Sequence, residues 1–204
     1  MHSTVRHTGC DGPAGHLQCV VDEPAQAPRG VVVLCHPHPQ HGGTMDNKVI
    51  QTLARAFVQL GYRSVRFNFR GVGESQGEWA QGVGEIDDAL AVVQAYRDAA
   101  LPLSIGGFSF GGYVASQVAA RLADTQPVER LVLVGPATST FKVAPVPPDT
   151  LVIHGEADDV VPLQATLDWA RPQALPVVVL PGVGHFFHGQ LPRLRSLVTQ
   201  AWAR

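Results

Sequence analysis

Hydrophobic positions along the chain fall into two patterns, short continuous apolar runs and longer stretches with helical spacing. A continuous run such as 31–35 is typical of a strand buried on both faces of a sheet. Apolar residues three and four positions apart, as at 114, 115, 118, 119 and 122, indicate a helix. The two patterns alternate from residue 31 onward. They predict strands at 31–35, 62–68, 101–105, 131–134, 151–154 and 177–180, and helices at 44–60, 85–100, 112–122, 163–170 and 191–203.

The first part of the chain shows a different pattern. Residues 5–22 are predicted to form an antiparallel hairpin, with its turn at 11–15 and a return strand at 17–21. The strands and helices that follow predict a mostly parallel sheet with helices on both faces. The sequence therefore predicts the α/β class, with one domain over residues 1–204.

Composition and charge exclude several classes of function. The 204 residues are 45% hydrophobic and 16% charged, with a net charge of −2, so neither nucleic acid nor a membrane is expected as a partner. No apolar stretch is long enough to span a bilayer, and the N-terminus lacks the apolar core of a signal peptide. Cys10, Cys19 and Cys35 are odd in number and lack metal-type spacing, which favours reduced thiols in a cytoplasmic protein.

A candidate nucleophile lies in Gly107-Phe108-Ser109-Phe110-Gly111, between a predicted strand and a predicted helix. A Gly-X-Ser-X-Gly motif in this context is typical of a nucleophile elbow, in which the serine occupies a sharp, strained turn. A Cβ two residues before or after the serine would clash in that turn. The N–H of Phe110, at the helix start, can then bind a developing oxyanion. The alternative is a glycine-rich turn with an incidental serine.

A serine hydroxyl needs a base, usually a histidine that a carboxylate holds in place. In hydrolases with this elbow, the chain order is serine, then the acid, then histidine. Segments 154–162 and 181–188 carry these groups in this order, and each follows a predicted strand. Because ligand sites in parallel sheets lie at the carboxyl ends of the strands, both segments are expected near the serine.

The elbow, the His-Gly-x-x-Asp-x-x-Val-Pro segment at 154–162 and a Gly-His in the last loop resemble the α/β-hydrolase family. The resemblance covers nearly the whole chain. It implies that Ser109 is the nucleophile, Asp158 the acid and His185 the base, because the family's acid falls three residues after the Gly of His-Gly.

The same two segments contain other carboxylates and histidines that compete for these roles. Asp159 is an alternative acid, and its other expected role is to cap the helix near residue 162. Glu156 lies in the same loop at a position that is usually variable in the family, and His188 is expected at the surface or at a cap. His154 ends a buried strand and is interpreted as a packed, hydrogen-bonded core histidine.

The second oxyanion donor is expected in the loop after strand 31–35. Pro37 stands where many hydrolases have glycine, and neither Pro37 nor Pro39 has an N–H. The backbone N–H of His38 is therefore the predicted donor. This His-Pro-His-Pro form resembles small, lidless bacterial members near the dienelactone hydrolase-like group. That group's named enzyme uses cysteine where this chain has Ser109, so dienelactone chemistry is not implied.

A histidine-rich loop and a glycine-rich loop each suggest a further role. His36, His38 and His41 could suggest zinc, but two of them flank prolines and no carboxylate or cysteine at ligand spacing joins them. The sequence therefore predicts no metal and no cofactor. Loop 68–75 resembles the family's Arg-Gly-x-Gly-x-Ser loop and is interpreted as structural, with Arg70 tying neighbouring loops together.

The connection 135–150, where many hydrolases insert a cap domain, is short and holds four prolines, which leave no room for a long helix. An open site for a small apolar acyl group is therefore expected, unless Trp79 and segment 77–84 fold over it. The predicted pocket residues are Met45, Val72, Phe108 and Phe186, with Trp79, Phe110 and Phe141 as further walls. For each of them, a position in the ordinary core is the alternative.

Together these features predict a serine hydrolase that cleaves small carboxylic esters through an acyl-enzyme intermediate. A small-molecule ester is its expected partner, and the oligomeric state is left open. Thioesters and peptides pass through the same kind of tetrahedral intermediate, so a thioesterase or peptidase is an alternative. A non-catalytic binding module with this fold is a second alternative, which the intact Ser-Asp-His set disfavours.

Overall fold

Eight strands form a single sheet in the computed structural model, which describes residues 4–202. In chain order they are β1 (Thr4–Gly12), β2 (Gly15–Glu23), β3 (Gly30–Cys35), β4 (Tyr62–Phe67), β5 (Leu103–Phe108), β6 (Arg130–Val134), β7 (Leu151–Gly155) and β8 (Val177–Leu180). Their order in the sheet is β1-β2-β4-β3-β5-β6-β7-β8. The β1–β2 and β2–β4 pairs are antiparallel, and the remaining pairs are parallel.

Helices cover both faces of this sheet. They are α1 (Lys48–Gln59), α2 (Val83–Tyr96), α3 (Phe110–Leu122), α4 (Leu163–Ala170) and α5 (Leu191–Trp202). Alternate residues of β3 separate the two layers, since Val32 and Leu34 pack with α1 and α5, whereas Val31 and Val33 pack with α2 and α3. The α/β class, the N-terminal hairpin and the mostly parallel sheet are confirmed. None of the helices described between residues 4 and 202 is long and apolar enough to cross a bilayer.

Helix α1 begins four residues later than the hydrophobic pattern predicts. Asn47 caps it, because its side-chain oxygen accepts hydrogen bonds from the N–H groups of Val49 (2.9 Å) and Ile50 (3.4 Å). The predicted end holds, because Gly61 adopts a φ of 85° and turns the chain into β4.

Other boundaries also differ from the prediction. Helix α2 ends at Tyr96 rather than at residue 100, because Arg97 is extended, with a ψ of 136°. Strand β5 begins two residues later than predicted and continues to Phe108, directly against Ser109. The predicted end of the last helix, Ala203, lies outside the described residues.

Candidate active site

Ser109 occupies the sharp turn between β5 and α3, with φ 56° and ψ −117°. A non-glycine residue with these backbone angles is strained, so the surrounding structure must hold Ser109 in this conformation. A Cβ on Gly107 would overlap the carbonyl group of Gly111, and a Cβ on Gly111 would overlap the carbonyl group of Cys35. The crowding predicted for both glycines is therefore confirmed. The turn places Ser109, 8% exposed, at the carboxyl end of the sheet.

Asp158 and His185 form a buried pair in the loops after β7 and β8. The Nδ1 atom of His185 lies 2.7 Å from Oδ2 of Asp158. The other carboxylate oxygen, Oδ1, accepts hydrogen bonds from the N–H groups of Val160 (3.0 Å) and Val161 (2.7 Å). Burial by itself raises the pKa of the Asp158 carboxyl, but the hydrogen bonds from His185 and Val161 outweigh it and hold the pKa below its usual value. At neutral pH the carboxylate is therefore charged and can orient the imidazole.

The elbow and this pair meet at the same end of the sheet. The ring of Phe108, next to Ser109, lies with its centroid 4.8 Å from that of His185. A Cβ on Gly135, after β6, would lie 3.5 Å from both Oδ2 of Asp158 and Cε1 of His185. In the described structure, Ser109 Oγ makes no hydrogen bond to His185. Hydrogen bonds of this kind often form or tighten only when substrate binds.

Gly135 was not singled out from the sequence. It adopts a φ of 47° and lies against the Asp158–His185 pair. Its position directly after an apolar run, at the carboxyl end of a predicted strand, was the signal that could have identified it.

The two predicted oxyanion donors lie in neighbouring loops. The carbonyl group of His36 would overlap a Cβ on Gly111, so the loop after β3 packs directly on the elbow. The imidazole of His38 contacts the ring of Phe110, with centroids 5.2 Å apart. Neither the His38 N–H nor the Phe110 N–H donates a hydrogen bond to any group in the described part of the chain. Both are therefore available to a ligand.

His36 anchors the loop that carries His38. Its Nδ1 donates to the carbonyl oxygen of Pro37 (2.6 Å), and its Nε2 accepts the N–H of Phe69 (3.1 Å). Burial lowers the pKa of His36 to about 4, so the imidazole is neutral and both ring nitrogens are occupied. The ring of His38 stacks on that of His41 at 4.4 Å. Residues 4–202 contain no group of three or more side chains placed to hold a metal ion.

The alternative residues of the loops after β7 and β8 have other surroundings. Asp159 is exposed, and the N-cap residue of α4, Pro162, receives no side-chain cap. The expectation that Asp159 caps this helix is therefore wrong, because Pro162 occupies the N-cap position and Asp159 lies three residues before it. Glu156 accepts the N–H of Gly182 (2.8 Å) and so links the two loops. His188 is exposed, as predicted.

The predicted pocket residues divide into two groups. Met45 and Phe108 are almost fully buried, so they offer little surface to a ligand, and Phe108 instead supports the imidazole of His185. Phe186 is 48% exposed and lines a cavity of about 600 Å³ together with His185. Val72 is half-buried and lines a separate cavity of about 330 Å³.

The connection 135–150 contains no helix and lies on the surface of α3. The ring of Phe141 stacks on that of Tyr113 at 4.9 Å, and Gln117 donates to the carbonyl oxygen of Lys142 (2.7 Å). The connection therefore forms no cap domain, because it is packed against α3. Trp79 packs against the rings of His38 (4.6 Å) and Phe110 (5.3 Å), beside the two candidate oxyanion donors.

Arg70 ties its loop to α2. Its guanidinium binds both carboxylate oxygens of Asp88, at 2.9 and 2.7 Å, and the carbonyl oxygen of Gly84 at 2.7 Å. Asp88 is fully buried, and its hydrogen bonds raise the pKa of Arg70 above its usual value. The structural role predicted for Arg70 is therefore confirmed.

Comparisons with known proteins agree with this architecture. The chain matches the Hydrolase_4 family, described as serine aminopeptidase, S33, over residues 26–149. A similar solved structure is XC6422 from Xanthomonas campestris, an α/β serine hydrolase without a lid, with 37% identity and a TM-score of 0.90 over 100% of this chain and 96% of that one. An α/β serine hydrolase homologue from Coxiella burnetii shares 38% identity with a TM-score of 0.84, covering 96% of each chain.

A curated relative is also similar along most of the chain. The uncharacterized protein RP471 of Rickettsia prowazekii is 29% identical over an alignment of 193 positions that covers 87% of this chain and 80% of the relative. The family match spans more than half of the chain and includes the elbow, and the similar serine hydrolase structures share the whole fold. The chain therefore belongs to the Hydrolase_4 family of α/β hydrolases and has the lidless form of that fold.

Proposed function

We propose that this protein is a carboxylesterase that cleaves small esters through an acyl-enzyme intermediate, with Ser109, His185 and Asp158 as its catalytic triad. The observation that carries the proposal is the 2.7 Å hydrogen bond between His185 and Asp158, formed beside the strained elbow of Ser109. A buried, charged carboxylate that orients an imidazole is the device that activates a serine hydroxyl.

In the proposed reaction, Ser109 Oγ attacks the ester carbonyl carbon while His185 Nε2 takes the hydroxyl proton. Asp158 stabilises the imidazolium that forms. The oxyanion of the tetrahedral intermediate accepts hydrogen bonds from the N–H groups of His38 and Phe110. His185 then gives its proton to the leaving alcohol, and water attacks the acyl-enzyme by the same route in reverse.

The contacts around the proposed oxyanion donors support their preorganisation. The His38 side chain is packed between the rings of His41, Trp79 and Phe110. His36 bonds to Pro37 in its own loop and to Phe69 in the loop after β4. Dipoles that are held in place before substrate binds cost little reorganisation during the reaction, which is the main source of their effect.

The absence of a cap supports a small substrate. With connection 135–150 packed against α3, little apolar surface is available to bury a long acyl chain, which favours short acyl groups. The serine aminopeptidase description of the matched family makes peptides the second candidate class. We also propose a cytoplasmic location, because Cys10, Cys19 and Cys35 are free thiols.

The test compares the wild-type protein with Ser109→Ala. Hydrolysis of p-nitrophenyl acetate and labelling by a fluorophosphonate probe should both occur in the wild-type protein. Ser109→Ala should lose all labelling and at least about a thousandfold of the turnover. Ser196→Ala, which alters an exposed serine of α5, is the matched control and should retain both.

Two outcomes would contradict the proposal. Turnover in Ser109→Ala close to that of the wild-type protein would place the nucleophile elsewhere. Labelling of wild-type Ser109 without hydrolysis of any ester, but with release of p-nitroaniline from aminoacyl anilides, would identify a peptidase instead.

A further inference from the structure

The carboxylate of Asp158 faces a second imidazole besides that of His185. His154 is fully buried near the end of β7, and its Nε2 lies 2.9 Å from the carbonyl oxygen of Val161 and 3.4 Å from Oδ2 of Asp158. A carbonyl oxygen can only accept a hydrogen bond, so the proton of His154 resides on Nε2. That N–H donates to Val161, and Nε2 also lies within 3.4 Å of the carboxylate that binds His185.

Three hydrogen bonds and one longer contact surround the carboxylate. Oδ1 of Asp158 accepts the N–H groups of Val160 and Val161, while Oδ2 faces the ring N–H groups of His185 and His154. A carboxylate has about four lone-pair positions, two on each oxygen. Three of them accept hydrogen bonds, so rotation of the carboxylate would break contacts on both oxygens.

The other nitrogen of His154 argues against a purely structural role. Nδ1 is buried and has no hydrogen-bond partner between residues 4 and 202. An orphaned buried nitrogen carries a desolvation cost that an apolar side chain of similar size would avoid. The position therefore accepts a cost in stability in order to keep a ring N–H beside Asp158.

The charge state of His154 follows from its surroundings. The titratable groups that face it are Asp158 in its own loop and His185 in the loop after β8. Burial lowers the pKa of His154, so at neutral pH it acts as a neutral donor and not as a counter-charge. The carboxylate therefore keeps a net negative charge for an imidazolium at His185.

We propose that His154 is a positioning residue. Its Nε2–H holds Val161, whose own N–H binds Asp158, and its ring attracts Oδ2 across 3.4 Å, so that the carboxylate stays in line with Nδ1 of His185. This inference rests on the proposed function, because it assigns His154 a role in orienting the acid and base of that triad. The contact also withdraws charge density from Oδ2, which makes the carboxylate a weaker base toward His185.

The activity test uses two substitutions at this position. His154→Met fills similar space without a donor, and His154→Gln keeps an N–H near the position of Nε2. In His154→Met we expect kcat to fall about tenfold, the effect of one lost hydrogen bond, with KM within about twofold. The acidic limb of the kcat/KM profile should move to higher pH by about 0.5 unit, because the more basic carboxylate holds the His185 proton more strongly.

The controls separate positioning from simple packing. His154→Gln should recover most of kcat and return the acidic limb toward the wild-type position. His7→Met, which alters an exposed histidine of β1, should change neither. If His154→Met loses activity only in proportion to its loss of folded protein, with an unmoved acidic limb and no recovery in His154→Gln, the positioning role is overturned.

A second measurement needs no turnover. Nitrogen-15 NMR of the wild-type histidine rings at pH 8 should show His154 as the neutral Nε2–H tautomer, and a low-field proton on His185 Nδ1 that changes in His154→Met. An Nδ1–H tautomer of His154 would overturn the inference even if every variant failed to fold. If the NMR result holds while no ester is hydrolysed, the proposed function fails and the carboxylate contact stands.

Discussion

The sharpest test of the proposed acid is to replace it, and its neighbour, with asparagine. In Asp158→Asn the new side-chain oxygen can accept the N–H groups of Val160 and Val161, as Oδ1 does in the wild-type protein. The amide NH₂ then occupies the place of Oδ2, 2.7 Å from Nδ1 of His185. Because an NH₂ group only donates, Nδ1 must accept, and the imidazole proton moves to Nε2. A protonated Nε2 cannot take the proton of Ser109.

The size of the effect follows from this change of tautomer. The protein loses its general base and also the charge that stabilises the imidazolium, so kcat/KM should fall about 10³- to 10⁴-fold, or roughly 4 to 5.5 kcal/mol of transition-state stabilisation. Asp159 is exposed and its carboxylate makes no hydrogen bond to His185 in the described structure. Asp159→Asn should therefore remain within about twofold of the wild-type kcat/KM.

The assay is the initial rate of p-nitrophenyl acetate hydrolysis at fixed pH, with thermal unfolding of each variant as the control for folding. Equal losses in Asp158→Asn and Asp159→Asn would refute the tautomer argument. A larger loss in Asp159→Asn would show that the acid is the other carboxylate.

Two further predictions concern acid stability and substrate size. The folded pKa of His36, about 4, lies below the unfolded value of 6.5, so the unfolded chain takes up the proton first as pH falls. Relative to His36→Gln, the free energy of unfolding of the wild-type protein should therefore be highest above about pH 6.5. It should decrease by about 3 kcal/mol as pH falls to 4. Urea unfolding of both proteins at pH 7.5 and 4.5 measures this, and a constant difference would contradict it. Because the site lacks a cap, kcat/KM should be higher for acetyl or butyryl than for palmitoyl esters, with no jump in rate at the solubility limit of a short-chain ester. Interfacial activation with a preference for long chains would indicate an unrecognised cover.

Much of the fold was accessible from the sequence because each buried strand is a continuous apolar run. Strand β3 is buried on both faces, and its run could be interpreted without knowledge of its neighbours. The helix boundaries were less accessible, since they depend on single capping contacts. Helix α1 starts at the Asn47 cap although the apolar spacing begins earlier, and α2 ends where Arg97 becomes extended.

The candidate site was accessible in its loops and less so in its contacts. The elbow glycines, Asp158 and His185 were placed in the correct loops because the carboxyl ends of parallel strands meet at one edge of the sheet. The surroundings of the neighbouring side chains were not accessible. Whether Phe108 faces a ligand or supports His185 depends on how β5 and the last loop pack, and that packing is not encoded in local spacing.

The structure also supplies a physical reason for the spacing of His-Gly-x-x-Asp-x-x-Val. A Cβ on Gly155 would overlap the carbonyl group of Val183, so only glycine lets the loop after β8 approach β7 this closely. Three residues later the chain has turned far enough for Asp158 to meet the histidine of that loop, and the N–H of Val161 binds the carboxylate. The carbonyl oxygen of Val161 accepts the Nε2–H of His154, so the loop after β7 is tied back to its own strand. The four positions therefore act as one unit, so that a change at His154 or Gly155 should be felt at His185 although neither residue would touch a substrate.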